Sequence, residues 1–485
     1  MVNFRIVSKI IGQLLFLEGA MMLICVILSF CYREDDVMAF LISMILTVFT
    51  GLVFKFFGRG ANNNLSRHNA YLVVTATWII FSLFGMLPSL IGGYITNVTD
   101  GFFETMSGFT TTGATIFDDV ESLPHGILFW RSFTHWIGGL GIVFFTIAIL
   151  PSLVGGSMKV FAAEATGPIK SKMHPRLSTN AKWICTVYLS ITIACSLSFK
   201  IAGMDWFDSI NYSMSTAATG GFATHNDSIR YFHSIYIEYI GVLFQFLSGV
   251  NFTLLYIVAF KGKFRELIKN TEFRLFVNVI IIATAIVTYL LVTRSGYGLE
   301  QAFRSSLFQI VTCLTTTGLF NDDAGNWPHI TWVIIAGCMF IGACAGSTSG
   351  GFKCIRGAMV LKVIKNEFRH ILHPNAVLPV KINGQTVEQP KIVTLLAFLA
   401  IYILICLISS FIMIASGIDS TNAITISISC MGNVGPTIGT DISPIMSWSP
   451  LPDGIKWLCS ALMLIGRLEI MTVLVLFTRG FWKDN

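Results

Sequence analysis

The sequence predicts an all-α, polytopic membrane protein: four tandem units of span, short pore helix, glycine loop and span in pseudo-fourfold symmetry around one axis, preceded by an extra helix pair. Three observations lead there. Of 485 residues, 54% are hydrophobic and only 12% are charged, a balance that water-soluble globular chains do not carry. Hydropathy marks about ten stretches able to cross a bilayer. A glycine-centred loop recurs four times, as Thr111-Thr112-Gly113, Ala218-Thr219-Gly220, Thr316-Thr317-Gly318 and Asn433-Val434-Gly435. Each loop follows an apolar stretch too short to span and precedes one that is long enough. Four such units in one chain can enclose one axis, which is the geometry of a cation pore.

In chain order the candidate spans lie at 10–31, 37–56, 70–92, 128–150, 182–202, 235–260, 275–293, 330–362, 391–415 and 455–478. A helix needs about 20 apolar residues to cross about 30 Å of hydrocarbon. The first span follows Arg5 and Lys9 as a signal peptide would, but it contains Glu18 and runs to Cys31 without a small-residue cleavage site, so it reads as an uncleaved helix. With both termini inside, the inner loops collect most of the 32 Lys and Arg, and the outer loops most of the 26 Asp and Glu. That is the positive-inside pattern. The net charge of +6 therefore reports orientation, and with no soluble basic domain it gives no nucleic-acid footprint. The basic inner segments 171–176, 261–274 and 353–391 offer a surface to an acidic partner or to anionic membrane lipid, although orientation alone explains them.

The first two spans stand outside the repeat, so the organisation reads as a helix pair over 1–69 and pore repeats over 70–181, 182–273, 274–390 and 391–485. The short segments 100–109, 208–217, 300–314 and 420–430 rise about 1.5 Å per residue and cover only about half the bilayer. They must turn back, as re-entrant pore helices entered from the acidic outer side. Asp100, Asp208, Glu300 and Asp419 near their starts suit N-caps better than ion ligands. Irregular backbone at membrane depth is tolerated only against protein or water, so the four loops are expected to meet. Their carbonyls can then replace part of a cation's water shell, glycine supplying the positive φ that such a loop needs. Close packing of helices through small residues is the alternative use of these glycines.

The segments 101–115 (GFFETMSGFTTTGAT), 130–141 (WRSFTHWIGGLG), 346–356 (GSTSGGFKCIR), 432–436 (GNVGP) and 465–469 (IGRLE) resemble the Trk-type potassium-uptake membrane subunits of the Trk, Ktr and plant HKT superfamily. The resemblance covers nearly the whole chain, and the extra helix pair is similar to the Trk branch. It implies potassium as the ion carried, a homodimer with one pore per protomer in the bacterial inner membrane, and a TrkA-like cytoplasmic ring that binds nucleotides. Any ATP, ADP or NAD effect would come through that ring, because the chain has no nucleotide motif of its own. The residues after the loop glycines differ, being Ala114, Gly221, Leu319 and Pro436. Fewer enforced carbonyl rings than in tetrameric potassium channels imply potassium and rubidium permeation with some sodium leakage. In the plant relatives a serine at the first loop glycine goes with sodium preference, and here that position is Gly113.

The eighth span is too long to be one straight helix, and Gly342, Ala345, Gly346, Ser347, Thr348, Ser349, Gly350 and Gly351 crowd its middle. A break there places a flexible strand below the third loop, and the resembling family uses this segment as an intramembrane gate. The run resembles a phosphate loop only in outline, since Cys354 stands where Ser or Thr is required. Arg467 lies inside the last span, where a charge must face protein or water. In the resembling family the matching arginine lies under the filter as a barrier to cations. A carbonyl tether or an ion pair is the alternative, and Glu469 is two residues away on another helix face. Asp118, Asp119, Glu121, Asp322 and Asp323 on the outer loops either focus cations by their field or are solvated charges. The 11 cysteines form no CxxC pair and the 9 histidines no ligand spacing, so neither a disulfide framework, a zinc site nor a covalent cofactor is indicated. A proton- or sodium-coupled potassium symporter is the nearer alternative to a gated pore. A membrane-embedded enzyme is the more distant one, because no HExxH or facing carboxylates lie in the spans.

Overall fold

The computed structural model describes residues 3–61, 66–141, 177–439 and 446–482. Regular structure among them is helical except for one hairpin, in which Lys381–Ile382 pairs with Gln385–Thr386. Six helices are long and apolar enough to cross a membrane, and up to eight spans result if each of two bent pairs counts as one. Their outer faces expose Phe30, Phe49, Ile281, Leu407 and Phe411, surfaces suited to lipid. The polytopic, all-α architecture expected from composition is the one observed. The distal part of the expected span 128–150 and the basic segment 171–176 lie outside the described residues.

The first helix, Phe4–Tyr32, starts where the Asn3 side chain accepts from the backbone N–H groups of Arg5 and Ile6, and stops at Arg33 in the left-handed region. That is an N-cap and a C-cap supplied by local chemistry. The second helix, Val37–Phe57, returns antiparallel along it, and the pair meets through small residues. A Cβ on Gly12 would sit 2.7 Å from the Gly51 carbonyl oxygen, and one on Gly19 would sit 2.6 Å from Val48. Backbones this close are the membrane alternative to a hydrophobic driving force. The pair packs on Arg67–Gly85 and His125–Leu140, both of the first repeat.

The four short helices are Val98–Phe109, Trp206–Ala218, Leu299–Leu314 and Ser420–Gly432. Asn97, Asp205 and Asp419 cap three of them by accepting backbone N–H bonds, while the third follows Gly298 with no side-chain cap. The expected cap at Asp419 is therefore present. Asp100, Asp208 and Glu300 instead lie inside the first turn, where Asp100 accepts from Lys456 at 2.6 Å and Glu300 pairs with Arg304 at 2.9 Å. Each short helix packs against the apolar helix before it and against the helix that follows the loop of the preceding repeat. The second packs on His125–Leu140, the third on Ile235–Gly249 and the fourth on His329–Ile341. The first packs on Asp453–Arg467 at the far end of the chain. This cyclic packing closes the four units around one axis.

The helices after the second, third and fourth loops are interrupted, where the sequence suggested a break in the third unit only. The helix after the first loop ends at Gly141, with φ 48°. The second, read as one span over 235–260, bends by 103° between Ile235–Gly249 and Phe252–Lys261. Asn251 makes that bend a new helix start, because its side chain accepts from the N–H groups of Thr253 and Leu254. The third stops at Ile341 and resumes at Cys354. The fourth, read as one span over 455–478, bends by 113° past Arg467, where Glu469 has φ 65°. Hydropathy persists across each bend, so it does not register the change of direction.

Candidate functional site

At the inner end of each short helix the chain turns through the same geometry. Thr111, Thr219, Thr316 and Asn433 have φ between 53° and 57°, and two residues on Gly113, Gly221, Gly318 and Gly435 have φ between 81° and 97°. The backbone N–H groups of Thr112, Gly220, Thr317 and Val434 donate to carbonyls five residues back, on Ser107, Ser215, Thr312 and Ser429, at 2.8–3.0 Å. This is a C-terminal cap of Schellman type, repeated four times. It satisfies the last carbonyls of each short helix and aims its C-terminal end, with its partial negative charge, toward the axis.

The glycines then interlock. A Cβ on Gly113 would lie 2.1 Å from the Gly220 carbonyl oxygen, on Gly221 2.4 Å from that of Thr317, on Gly318 2.3 Å from that of Val434, and on Gly435 2.3 Å from that of Thr112. No side chain fits at any of the four. The circuit of contacts passes once through every unit and returns to the first, so the loops form a closed ring.

The second loop is one residue later than its spacing suggested. Sequence placed Ala218, Thr219 and Gly220 beside Thr111, Thr112 and Gly113, but the structural equivalents are Thr219, Gly220 and Gly221. Ala218 is the last residue of its short helix. Gly220 is outside the left-handed region, and its Cβ position points 2.3 Å from the His135 ring instead of toward a neighbouring loop. Two adjacent glycines left the choice open in the sequence, and backbone φ decides it. In the first, third and fourth loops the positive φ falls on Gly113, Gly318 and Gly435, the glycines their spacing singled out.

On the side where the chain leaves the ring glycines, the ring opens into a mouth lined by all four of them and by Asp118, Arg131, His225 and Trp448. Its walls are held by carboxylates that meet the chain just past three of the four ring glycines. Glu104 accepts from the Ile116 N–H at 2.9 Å, Asp208 from the Thr224 hydroxyl at 2.6 Å, and Glu238 from the Asn321 amide at 2.5 Å. The Ser447 and Ser449 hydroxyls donate to Asp118 and hold its carboxyl below the usual carboxylate range. His225 lies 3.1 Å from Asp208 and 3.5 Å from Glu121. Burial works to lower its pKa, but the hydrogen bond and charge of Asp208 and the charge of Glu121 outweigh that and raise it above the ordinary imidazole value. Asp119 accepts from Asn226 at 2.9 Å, and Asp323 from Asn326 at 2.7 Å. Asp118 and Asp119 thus tie the loop of the first unit to those of the fourth and second, while Asp323 braces its own loop.

Beneath the ring, residues 342–353 cross between units without helical structure. Gly342, Gly346 and Gly351 take φ between 69° and 76° there. The Ala345 carbonyl accepts from the Asn251 amide at 2.6 Å, Gly346 from the Phe252 N–H at 3.0 Å, and the Thr348 hydroxyl donates to the Ala217 carbonyl at 3.0 Å. The Ser347 hydroxyl donates to Cys344, and the Ser349 hydroxyl lies 3.2 Å from that of Thr316. The Gly350 N–H donates to the Thr316 hydroxyl at 2.7 Å, and a Cβ on Gly350 would lie 2.2 Å from the Gly432 carbonyl oxygen. The segment thus lies against the undersides of the second, third and fourth loops. Arg467 fastens it: its guanidinium donates to the Thr348 carbonyl at 2.9 Å and to the Gly138 carbonyl at 2.5 Å. A charge-assisted bridge of this kind is stronger than a neutral one. Glu469 binds Arg356 instead.

An ion pair and a lone carboxylate near the ring escaped the sequence reading. Glu104 and Arg131 form an ion pair at 2.9 Å with both side chains 5% exposed. Hydropathy had placed Arg131 at a span edge, and only the rarity of charge in this stretch marked it out. Glu272 is the other; it accepts from the N–H groups of Ala345 and Ile355 at 2.6 Å and 3.1 Å and so clasps both sides of the 342–353 segment.

Residues 36–483 match the model of the TrkH family, described as a cation transport protein. The chain belongs to the TrkH family. It is 35% identical over 489 residues to the Trk system potassium uptake protein TrkH of Escherichia coli K12, covering 99% of this chain and all of that one. It is 34% identical to TrkG of the same strain, with 99% of each covered. The crystal structure of the potassium transporter TrkH from Vibrio parahaemolyticus superposes with a TM-score of 0.89 at 35% identity, over 99% of this chain and 100% of that one. The resemblance read from motifs is thereby established. The family is one of transporters, which sets aside the enzyme alternative.

Proposed function

We propose that this chain is the potassium-conducting subunit of a Trk-type uptake system, and that the ring of loops is its selectivity filter. The observation that carries this reading is the cyclic interlock of Gly113, Gly221, Gly318 and Gly435 with the carbonyls of Gly220, Thr317, Val434 and Thr112. Four inward-turned backbones at one level offer oxygens to a partly dehydrated cation, while the four short helices aim their negative ends at it. Among the described residues the buried hydroxyls of Thr111, Thr216 and Thr312 have no protein partner, as suits a path where water or a passing cation completes their bonding. In E. coli and V. parahaemolyticus the relatives of matching length are potassium uptake proteins or transporters.

Residues 342–351 are the gate of this pore, and Arg467 is its latch and a barrier to cations. Potassium enters down the membrane potential, which is worth about 2.3 kcal/mol per 100 mV for one charge. The subunit works as a homodimer with one pore per protomer in the bacterial inner membrane, with both termini cytoplasmic. A TrkA-like nucleotide-binding ring docks on its basic inner face and controls the gate. The deciding experiment is rescue of growth at low potassium in a cell lacking potassium uptake, with and without a TrkA-like partner. It is followed by uptake into liposomes at a clamped potential. Uptake that needs neither a proton nor a sodium gradient supports the pore. Strict dependence on either gradient makes the protein a symporter, and no potassium flux in either assay refutes the reading.

A further inference from the structure

In three of the four units a carboxylate holds the chain just past the ring glycine, and each has a basic partner: Arg131 on Glu104, His225 on Asp208 and Arg304 on Glu238, of which the first pair, with both side chains 5% exposed, is the most deeply buried. Glu104, on the first short helix, accepts from the Thr115 hydroxyl at 3.0 Å and the Ile116 N–H at 2.9 Å. Arg131, on the helix that follows, donates to Glu104 at 2.9 Å, to the Thr115 hydroxyl at 3.0 Å and to the Ala223 carbonyl at 3.2 Å. Ala223 is two residues past the ring glycine of the second unit, and the guanidinium also lies 4.2 Å over the ring of Phe222. The Thr115 carbonyl accepts from the Trp448 N–H of the fourth unit at 2.8 Å. Three units therefore converge on one buried pair directly outside the ring.

Such a pair is a poor source of stability. Removing two charges from water costs several kcal/mol each, and packed apolar residues often do as well. What the guanidinium supplies is geometry: a planar fork with fixed donor directions, which an ammonium lacks. Ring oxygens select between cations by position and field. A fork that joins the exits of two adjacent loops fixes the spacing between their carbonyls.

We infer that the Glu104–Arg131 pair, with Thr115 as its joint, is the positioning clamp that sets potassium-over-sodium discrimination at the outer end of the filter. The inference rests on the filter reading above. Arg131→Lys keeps the charge but loses the fork. Thr115→Val keeps the shape and removes only the hydroxyl, and Thr115→Ser restores it. Each is compared with Gly221→Ala by potassium uptake, by the sodium concentration that competes with it, and by the amount of protein in the membrane. The expected result is a potassium-to-sodium preference lowered about threefold or more by Arg131→Lys and Thr115→Val at near-normal protein amounts, with recovery in Thr115→Ser. Reduced protein with an unchanged preference overturns the clamp and leaves the pair a structural tie. A preference altered by Gly221→Ala but by neither clamp variant overturns the clamp alone. A preference altered by none of them overturns the filter assignment too.

Discussion

Gly220 and Gly221 are adjacent, and the structure gives them opposite duties, so alanine at each position separates two accounts of the pore. At Gly221 the new methyl group would lie 2.4 Å from the Thr317 carbonyl oxygen. That oxygen must retreat by at least 0.6 Å to reach the 3.0 Å that real Cβ contacts respect, and it belongs to the ring. The residue must also hold φ 92° with a side chain, a strain of about 1–3 kcal/mol. At Gly220 the backbone is ordinary, and the methyl group strikes His135 at 2.3 Å. The His135 ring lies 2.7 Å from the Gly108 carbonyl oxygen and stacks on Phe222 at 4.0 Å. Overpacking a site of this kind costs about 1–3 kcal/mol of stability. Gly221→Ala is therefore expected to lower the potassium-to-sodium uptake ratio by about tenfold, equivalent to about 1.4 kcal/mol. Gly220→Ala is expected to act first through packing, lowering the melting temperature of the purified protein, and, because its carbonyl belongs to the ring, to lower the ratio as well but by less than Gly221→Ala. Uptake measured with competing sodium, beside thermal unfolding in detergent, reads both. A changed ratio in Gly220→Ala with an unchanged one in Gly221→Ala would refute the register argued from φ.

Arg467→Ala removes bonds to the carbonyls of Thr348 and Gly138, each worth about 1.5–3 kcal/mol for a charged donor. Flux through single pores should rise tenfold or so, and unchanged flux removes this residue from the gate. His225 has a raised pKa, so its contribution to stability is complete below the ordinary imidazole value of about 6.5 and is lost as the pH climbs through the raised value. Unfolding temperature followed from pH 5 to 9 should show a fall in that window that His225→Gln abolishes; an identical fall in the variant assigns it elsewhere. Gly12→Leu drives a side chain into the Gly51 backbone, 2.7 Å from its Cβ position. The N-terminal pair should part, with about 1–3 kcal/mol lost, whereas an unchanged melting temperature would show that the pair does not depend on this contact.

The loops were legible in the sequence because glycine at membrane depth has few uses and four occurrences constrain one another. Thr316-Thr317-Gly318 and Asn433-Val434-Gly435 are where their spacing put them, as is the break after Ile341. Where two glycines stand together, composition does not show which takes the left-handed turn, hence the shift at Gly221. The bends at Asn251 and Glu469 stayed hidden because apolar residues continue on both sides. Glu104 and Arg131 are 27 residues apart on different helices, so no local period links them, and only folding reveals that each cancels the other's charge.

The cyclic packing also carries a consequence for how the molecule is made. The first short helix finds its final neighbour in Asp453–Arg467, and the bond from Lys456 to Asp100 joins residues 356 apart. At about 5–20 residues per second, synthesis leaves that flank waiting about 20–70 s. Until the last helix enters the bilayer, three units stand as an open crescent with polar backbone on a lipid-facing edge. The final segment is thus the keystone of assembly, and a ribosome that stops short of it leaves an unclosed arc for membrane quality control to recognise.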